Sequence, residues 1–214
     1  SALVLHYHIE GGYENHQQLV FSPNTATQFN QLTHDRLDTP MEPYPLKKVE
    51  IPSADLGNRG LLFAGIGWYT RLEFPYLNNI MEHGEYVHIE KAGLKIYPEY
   101  GTYSDFNALP DSIFLYIADE NNVVTDAVKD YLGKQVQGGK LVKDDLFLGN
   151  TYYYFDVTQF MKEELGASGK YKHNLQLVFN SDDYTKTLKN LTFSAPNGQN
   201  PIILQLNYKI YESY

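Results

Sequence analysis

Alternating hydrophobic and polar positions predict short β-strands along most of this chain. Residues at alternate positions of a strand share one face of the sheet. From Leu3 to Ile9, one face holds Leu3, Leu5, Tyr7 and Ile9, and the other holds Val4, His6, His8 and Glu10. Two further extended runs are predicted at 17–21 and 25–33, and prolines at positions 40, 43 and 45 indicate a loop after them.

The middle of the chain continues this pattern with glycines inside apolar runs. Residues 61–74 are predicted as one strand, in which Gly65 and Gly67 indicate a bulge or a close backbone approach. A short helix is predicted over 76–82. The strand 86–97 changes the phase of its apolar face near Ala92, which is typical of a bulge. The nearly continuous apolar strand 112–118 is expected to be covered on both faces.

The segment 119–144 allows two interpretations in its first half. Residues 124–132 have helical spacing, but an irregular excursion loop is equally compatible with them. In the second half, Gly138-Gly139 lies between two short extended runs, and this pattern predicts a two-residue hairpin turn.

The stretch from Thr151 to Tyr208 organises the rest of the chain. It predicts a strand over 151–158, a helix over 159–165, and two inner strands over 174–180 and 201–211. Asp156 or Thr158 can cap the helix by accepting hydrogen bonds from its free amides. The run 152–154 consists of three tyrosines, but its side chains alternate between faces and so cannot present three rings together.

Together these elements predict an all-β fold, an antiparallel β-sandwich or jelly roll with one or two short helices. A chain of 214 residues is compatible with one sandwich domain over 1–214. Residues 1–50 are an alternative N-terminal extension that contributes edge strands.

Composition narrows the classes of function. The chain has 19 Tyr, 11 Phe and one Trp, and these rings suit either a half-wet sheet surface or a platform that stacks on a sugar. Because the formal net charge is −9, a nucleic acid is not an expected partner. Cysteine is absent, so disulfides and thiolate metal sites are excluded. No apolar run is long enough to span a bilayer.

Motifs for catalysis and metal binding are weak. The chain has no Gly-x-Ser-x-Gly elbow and no His-Glu-x-x-His motif. His6 and His8 share a strand face with Glu10, but two polar residues on a solvated strand face are the favoured explanation, and no metal site is assigned. No cofactor is expected, except that the acidic pairs at 119–120, 144–145 and 182–183 leave a structural calcium open. A carboxylate pair for glycoside hydrolysis stays open without named residues.

The loop between residues 98 and 110 is the best candidate for ligand binding. Its aromatic residues lie among Gly, Ser and Pro, and a ring beside a carboxylate can stack on a sugar and hydrogen-bond to it. Loop tyrosines can instead fold back over a sheet end. The candidate ligand-binding residues are Tyr97, Tyr100, Tyr103, Asp105 and Phe106.

Several short segments in a fixed order resemble a known family. They are Phe29-Asn-Gln-Leu-Thr-His-Asp-Arg, Thr70-Arg-Leu-Glu-Phe-Pro-Tyr-Leu, Ile89-Glu-Lys-Ala-Gly-Leu-Lys-Ile, Ile113-Phe-Leu-Tyr, Tyr154-Phe-Asp-Val-Thr and Pro201-Ile-Ile-Leu-Gln-Leu-Asn-Tyr. In this order the chain resembles the Bacteroidetes surface-lipoprotein family termed domain of unknown function 4270. The strand-helix-strand ending is also similar to jelly-roll modules attached to carbohydrate-active enzymes.

The resemblance implies a secreted β-sandwich on the extracellular face of the outer membrane, held by a lipid anchor expected upstream of this chain. It implies no catalytic residues. We therefore expect a non-catalytic surface protein that binds a polysaccharide or a host or matrix partner, as in adhesion. One alternative is a scaffold that docks a neighbouring outer-membrane protein, and another is a glycoside hydrolase.

Overall fold

The computed structural model describes residues 2–8, 16–24, 33, 35–45, 50–83, 86–129, 133, 136–144, 150–166, 173–194 and 200–211. The chain divides into two compact units, Ser1–Asp35 and Arg36–Tyr214. The fold is all-β, with antiparallel, strongly curled sheets and short helices, as in a β-sandwich. The predicted fold class is therefore confirmed.

The first unit contains a two-stranded antiparallel sheet. Strand β1 (Leu3–His8) pairs with β2 (His16–Phe21) in the register Leu3↔Phe21 to His8↔His16. This pairing confirms both predicted strands. The predicted strand positions Ile9 and Glu10, and most of the extended run 25–33, lie outside the described residues.

The second unit is built on an eight-stranded sheet in the order β12-β5-β9-β8-β6-β10-β4, with β7 also paired to β6. Its strands are β4 (Thr70–Leu72), β5 (Tyr86–Ile96), β6 (Ser112–Ala118), β7 (Val124–Ala127), β8 (Gly138–Val142), β9 (Tyr152–Asp156), β10 (Asn174–Val178) and β12 (Ile203–Tyr211). A second sheet pairs β3 (Arg59–Phe63) with β11 (Asn190–Ser194). Pro98 bridges to Phe193 and so joins β11 to the chain that leaves β5.

Helices are short and lie at strand ends. Within the described ranges, two are 3₁₀ helices, Ser53–Leu56 and Leu77–His83, and the second confirms the predicted helix after residue 75. The α-helices are α1 (Thr158–Gly166) and α2 (Ser181–Lys186). Asn180 caps α2 by accepting a hydrogen bond from the Asp183 N–H at 2.7 Å.

The stop between β9 and α1 follows the predicted capping chemistry. The Oδ1 atom of Asp156 accepts a hydrogen bond from the Thr158 N–H at 3.0 Å. Thr158 itself is the first residue of the helix, and its Oγ1 accepts the Ala92 N–H of β5 at 2.9 Å. Asp156 therefore satisfies a free amide at the start of α1, while Thr158 attaches α1 to β5.

The hydrophobic core lies on one face of the large sheet, here called the inner face. From β5, β6, β9 and β10 it receives Leu94, Ile96, Ile113, Leu115, Tyr153, Phe155, Leu175 and Leu177. Opposite them, Leu62, Leu191 and Phe193 of the small sheet and Phe160, Met161 and Leu165 of α1 belong to the same cluster. Alternation along each strand leaves the other residues on the outer face.

The apolar phase of β5 shifts at a bulge, as predicted near Ala92. Asn207 pairs with Lys91 and Tyr208 pairs with Ile89, so Glu90 is the extra residue. Ile89 is buried before the bulge and Ala92 after it, although the two are three positions apart. The bulge thus keeps both halves of this long strand on the core.

Two predictions based on glycine were wrong. Residues 61–74 form two strands, and Gly65 and Gly67 lie in the turn between them with φ of 78° and 74°. Gly138 and Gly139 are not a hairpin turn but the first residues of β8. A Cβ at Gly139 would lie 2.1 Å from the Phe155 ring, so this glycine makes room for an aromatic side chain.

Two strand assignments also differ from expectation. Val124–Ala127 is a strand paired with β6, neither a helix nor an irregular loop. The last strand, β12, lies at the edge of the sheet beside β5 and is exposed over most of its length, so the prediction of an inner strand is wrong. The inner position of β10, between β6 and β4, is confirmed.

Candidate binding surface

The outer face of the large sheet carries tyrosines and lysines at adjacent positions of neighbouring strands. Lys95 of β5 pairs with Tyr154 of β9, and Tyr154 pairs with Lys140 of β8. One row further along, Tyr152 pairs with Val142. We call the set Lys95, Tyr97, Lys140, Tyr152 and Tyr154 the tyrosine–lysine strip.

Contacts within the strip orient its rings. The rings of Tyr97 and Tyr152 lie with their centroids 5.6 Å apart and their planes at 51°. The Lys95 Nζ lies 5.0 Å from the centroid of the Tyr152 ring, within the range of a cation–π interaction. All three tyrosines of the strip are half-buried, so part of each ring remains accessible to a ligand.

Gly93 allows Tyr154 to lie flat on the sheet. A Cβ at Gly93 would come within 3.0 Å of the Tyr154 ring and its hydroxyl oxygen. Because Gly93 has no side chain, the ring can rest against the backbone of β5 instead of standing away from the sheet. The Tyr154 ring therefore lies over Gly93 and adds aromatic area to the outer face.

Tyr153, between the two strip tyrosines, has the opposite environment. Its ring is buried on the inner face, and its hydroxyl donates a hydrogen bond to the Pro110 carbonyl at 2.6 Å. Burial raises the pKa of the Tyr153 phenol far above its usual value, and the carboxylate of Asp111 adds to this rise. The prediction that the three consecutive tyrosines cannot act together is confirmed.

The aromatic loop, residues 97–110, continues from the strip. Tyr97 belongs to both, since its ring lies against that of Tyr152. Partial burial raises the pKa of Tyr103, whereas an interaction with the side chain of Thr151, next to Tyr152, opposes the rise. Tyr103 is half-buried, so of the candidate rings it is less accessible than Tyr100.

The other candidate residues of the loop face solvent. Tyr100 is 71% exposed, Phe106 is fully exposed and Asp105 is also exposed. Single exposed rings are ordinary on a protein surface, whereas a contiguous patch of them indicates an interaction surface. The structure thus connects Tyr97 and Tyr103 to the strip, and it leaves Tyr100 and Phe106 open to a ligand.

Hydrogen bonds hold the loop backbone in place. The Glu99 N–H donates to the Thr192 carbonyl of β11 at 2.8 Å, and the Glu99 carboxylate makes two bonds with Arg59 at 2.7 and 2.8 Å. The Asn107 Nδ2 donates to the Thr102 carbonyl and to the Asn190 Oδ1, both at 3.0 Å. The exposed rings therefore project from a fixed loop, which lowers the entropic cost of binding.

A polar cleft of about 600 Å³ lies at the opposite end of the large sheet. Its lining consists of Arg71, Glu73, Pro75, Asp119, Glu120, Asn121 and Asn174. Arg71 forms ion pairs with Glu50 and Glu73, and its Nη1 also donates to the Asn122 Oδ1 at 3.2 Å. Asp119 accepts two backbone hydrogen bonds within its own loop, from Asn121 and Val123. The Arg71 guanidinium and the Asp119 carboxylate in this cleft are therefore already engaged in contacts within the chain.

The candidate metal ligands do not converge among the described residues. His8 and His16 face each other across the hairpin, with ring centroids 5.6 Å apart, and His6 lies on the same face. Within the described ranges, no group of three or more His, Asp or Glu side chains is placed to hold a metal ion. Asp182 and Asp183 pair instead with Lys186 and Lys189.

Sequence reasoning missed most of the strip. It named Tyr97 but not Lys95, Lys140, Tyr152 or Tyr154, which come from three different strands. The alternation that rules out a three-ring stripe also places Tyr152 and Tyr154 on one face, and that signal was present in the sequence. The two lysines join the strip only through cross-strand register, which the sequence does not reveal.

Comparisons with protein-family models, with curated proteins and with solved structures found no match to this chain. Fold and site geometry define the class as an all-β sandwich with an aromatic outer face. Among the described residues, none of the helices has the length and hydrophobicity required to span a membrane.

Proposed function

We propose that this chain is a non-catalytic binding module of a bacterial cell surface, and that it holds a glycan or a host or matrix partner on the tyrosine–lysine strip and the aromatic loop. The observation that carries the proposal is the pair of exposed rings, Tyr100 and Phe106, on a loop fixed by Asn107 and Glu99. Rigid aromatic side chains supply contact area at low conformational cost.

The strip supports the same proposal. Half-buried tyrosines on neighbouring strands form a continuous surface that can stack on the apolar faces of sugar rings, while their hydroxyls and the two lysines supply hydrogen bonds. The resemblance to the surface-lipoprotein family supports a position on the extracellular face of the outer membrane, with a lipid anchor upstream. Adhesion or capture of a polysaccharide fits that position.

A glycan microarray followed by isothermal titration calorimetry tests this function. We expect binding to at least one polysaccharide, and we expect the Tyr100→Ser and Tyr152→Ser variants to bind it at least about tenfold more weakly, since losing the stacking and the apolar contact area of one ring should cost about 1.4 kcal/mol or more. Tyr76→Ser is the matched control, because Tyr76 is also exposed but belongs to neither surface. Absence of binding to every polysaccharide would contradict the glycan version.

A scaffold function is the second candidate, and the edge strand β12 is the observation that favours it. Within the described residues, β12 pairs on one side only, with β5, and it exposes Tyr208, Ile210 and Tyr211. An open edge can accept a strand from another protein. Pull-down from an envelope fraction should then recover a partner with the wild-type chain but not with Ile210→Pro, because proline removes a backbone donor.

A glycoside hydrolase is the remaining alternative, and the polar cleft gives it a direct test. Glu73, Asp119 and Glu120 all line the cleft. Turnover of a polysaccharide that disappears in Glu73→Gln or Glu120→Gln would replace the binding proposal with a catalytic one. Our proposal predicts no release of reducing ends by the wild-type chain.

A further inference from the structure

We infer that the ligand of the tyrosine–lysine strip is an acidic polysaccharide, with carboxylate groups that bind Lys95 and Lys140 while its sugar rings lie on the tyrosines. This inference rests on the proposed binding function and names its ligand class. It follows from the cross-strand register, from the lack of a salt bridge at either lysine within the described residues, and from the tyrosine ring placed between them.

The register sets the spacing of the two lysines. Lys95, Tyr154 and Lys140 occupy one row across β5, β9 and β8. Neighbouring strands lie about 4.8 Å apart, so the backbone positions of the two lysines are roughly 10 Å apart, with one tyrosine between them. A chain of sugars that crosses the strands along this row can place one ring on Tyr154 and an acidic group at each side.

The lack of a salt bridge separates these two lysines from four others in the described part of the chain. In the described part of the chain, the lysines in salt bridges are Lys129, Lys186, Lys189 and Lys209. Neither Lys95 nor Lys140 forms a salt bridge there, although the protein has 26 acidic residues against 17 basic ones. Two cations that form no salt bridge with any described residue therefore offer charge complementarity to an anionic ligand from an aromatic surface.

In the described ranges, no acidic side chain forms a salt bridge with this part of the sheet. Asp156 shares the outer face, but its carboxylate accepts hydrogen bonds from the backbone and hydroxyl of Thr158. In the row that contains Asp156, the neighbour of Asp156 on β5 is Gly93, and the neighbour of Gly93 on β12 is Gln205. Neither of these two neighbours is charged. The row that contains Lys95 and Lys140 holds Ile203 at one end and Ser112 at the other, and neither is charged.

The net charge of −9 favours sugar acids over a nucleic acid as the anionic ligand. Repulsion from distant acidic residues is screened beyond about 8 Å at physiological ionic strength, so short contacts to the two lysines can still be favourable. A nucleic acid presents a much denser line of charge and needs many cations in a row. The strip supplies two cations separated by a ring, which suits carboxylates on separate sugars.

A matched pair of polysaccharides tests this inference. Polygalacturonic acid and its fully methyl-esterified form share one backbone, and esterification removes the carboxylate charges. By isothermal titration calorimetry, we expect the acidic form to bind at least about tenfold more tightly than the ester. We also expect the affinity for the acidic form to fall when the salt concentration rises from 50 to 500 mM, because the contacts are ionic.

Lysine variants test whether the preference for the acidic polysaccharide depends on the tyrosine–lysine strip. Lys95→Gln combined with Lys140→Gln should weaken binding of the acidic form by about tenfold or more and weaken binding of the ester much less, because glutamine removes the charge but still donates hydrogen bonds. Lys95→Arg combined with Lys140→Arg should restore most of the affinity, since charge is retained. Lys186→Gln is the control, because Lys186 is exposed on α2 and is paired with Asp182. Circular dichroism confirms that each variant is folded.

The outcomes separate this inference from the proposed function. Equal affinity for the acidic form and the ester, with both lost in Tyr152→Ser, would overturn the acidic ligand but support glycan binding. A preference for the acidic form that persists in the double glutamine variant would also overturn the inference, because residues other than Lys95 and Lys140 would then bind the carboxylates. Binding of neither polysaccharide, together with a negative glycan array, would overturn the glycan function and the inference together.

Discussion

The two faces of β9 use the same residue type for different purposes. Tyr153 lies on the inner face, where its ring is buried and its hydroxyl is bonded to Pro110. Tyr152 and Tyr154 lie on the outer face, half-buried, with one against Lys95 and the other on Gly93. Side-chain alternation alone assigns these environments.

The difference between the faces predicts different consequences of substitution. Inner residues contribute transfer free energy and close packing, so their replacement should lower the free energy of unfolding. Outer residues are already in contact with water, so their replacement should change stability little and affinity substantially. The predictions below test this separation, in order of decreasing effect on stability.

The largest effect is expected from removing an inner aromatic ring. Phe155→Ala should lower the free energy of unfolding by about 3–5 kcal/mol, because it leaves a cavity in the core beside Gly139. Urea denaturation followed by circular dichroism measures this loss. A loss below about 1 kcal/mol would show that the inner face is not packed as described.

Two glycines compare the faces by the addition of one methyl group. Gly139→Ala forces a Cβ to within 2.1 Å of the buried Phe155 ring and should cost about 1–3 kcal/mol. Gly93→Ala meets the half-exposed Tyr154 ring at 3.0 Å, and that ring can shift towards solvent, so we expect a cost below about 1 kcal/mol. Equal costs in urea denaturation would contradict the proposed difference between the faces.

Alkaline pH tests the burial of Tyr153. Because the pKa of the folded state is raised, the contribution of this group to stability is complete below pH 10, near the unfolded pKa, and is lost as pH rises above it. In Tyr153→Phe, stability should fall less steeply above pH 10, by up to about 1.4 kcal/mol per pH unit. Some slope should remain, since burial raises the pKa of Tyr184 to about 12.

At neutral pH the same variant should lose about 1–3 kcal/mol, because the Pro110 carbonyl loses its hydrogen-bond donor in a buried position. Thermal and urea denaturation at pH 7 measure this loss of stability separately from the effect of alkaline pH. An unchanged slope above pH 10 would mean that the Tyr153 hydroxyl reaches solvent.

A smaller effect is expected at the helix cap. Asp156→Ala should cost about 0.5–2 kcal/mol, since the Thr158 N–H loses its acceptor. Polysaccharide affinity should stay the same, because the carboxylate is used within the chain. Asp156→Asn is the control, since asparagine caps a helix about as well as aspartate. A similar loss in both variants would show that the carboxylate acts other than as a cap.

Local sequence patterns predicted those elements whose faces differ clearly in polarity. The strands β5, β6, β9 and β10 and the helix α1 all follow from spacing, and so does the bulge at Glu90. Residue spacing could not show that β12 lies at the sheet edge. The pattern of apolar residues from Ile203 to Tyr211 is the same whether β12 has a neighbouring strand on one side or on both. Edge position depends on the order of strands, which is a property of the whole fold.

Glycine was the main source of wrong local predictions, for a physical reason. A glycine can serve a turn, as Gly65 and Gly67 do, or make room for a ring, as Gly139 does. The residue type is glycine in both cases, so the sequence does not show which role applies. The aromatic ring on the neighbouring strand shows it in the structure. The binding surface was predicted only in part, because it also depends on contacts between strands. The aromatic loop is one continuous segment of the sequence, whereas the strip is assembled from three strands.

The central claim is that the outer tyrosines bind ligand and the inner one stabilises the fold. The most direct measurement is a calorimetric titration of one array-selected polysaccharide into Tyr152→Ser and Tyr153→Phe, with urea denaturation of both variants. We predict that Tyr152→Ser loses at least about tenfold in affinity and less than about 1 kcal/mol in stability, while Tyr153→Phe loses stability and keeps its affinity. Full affinity in Tyr152→Ser would contradict this account.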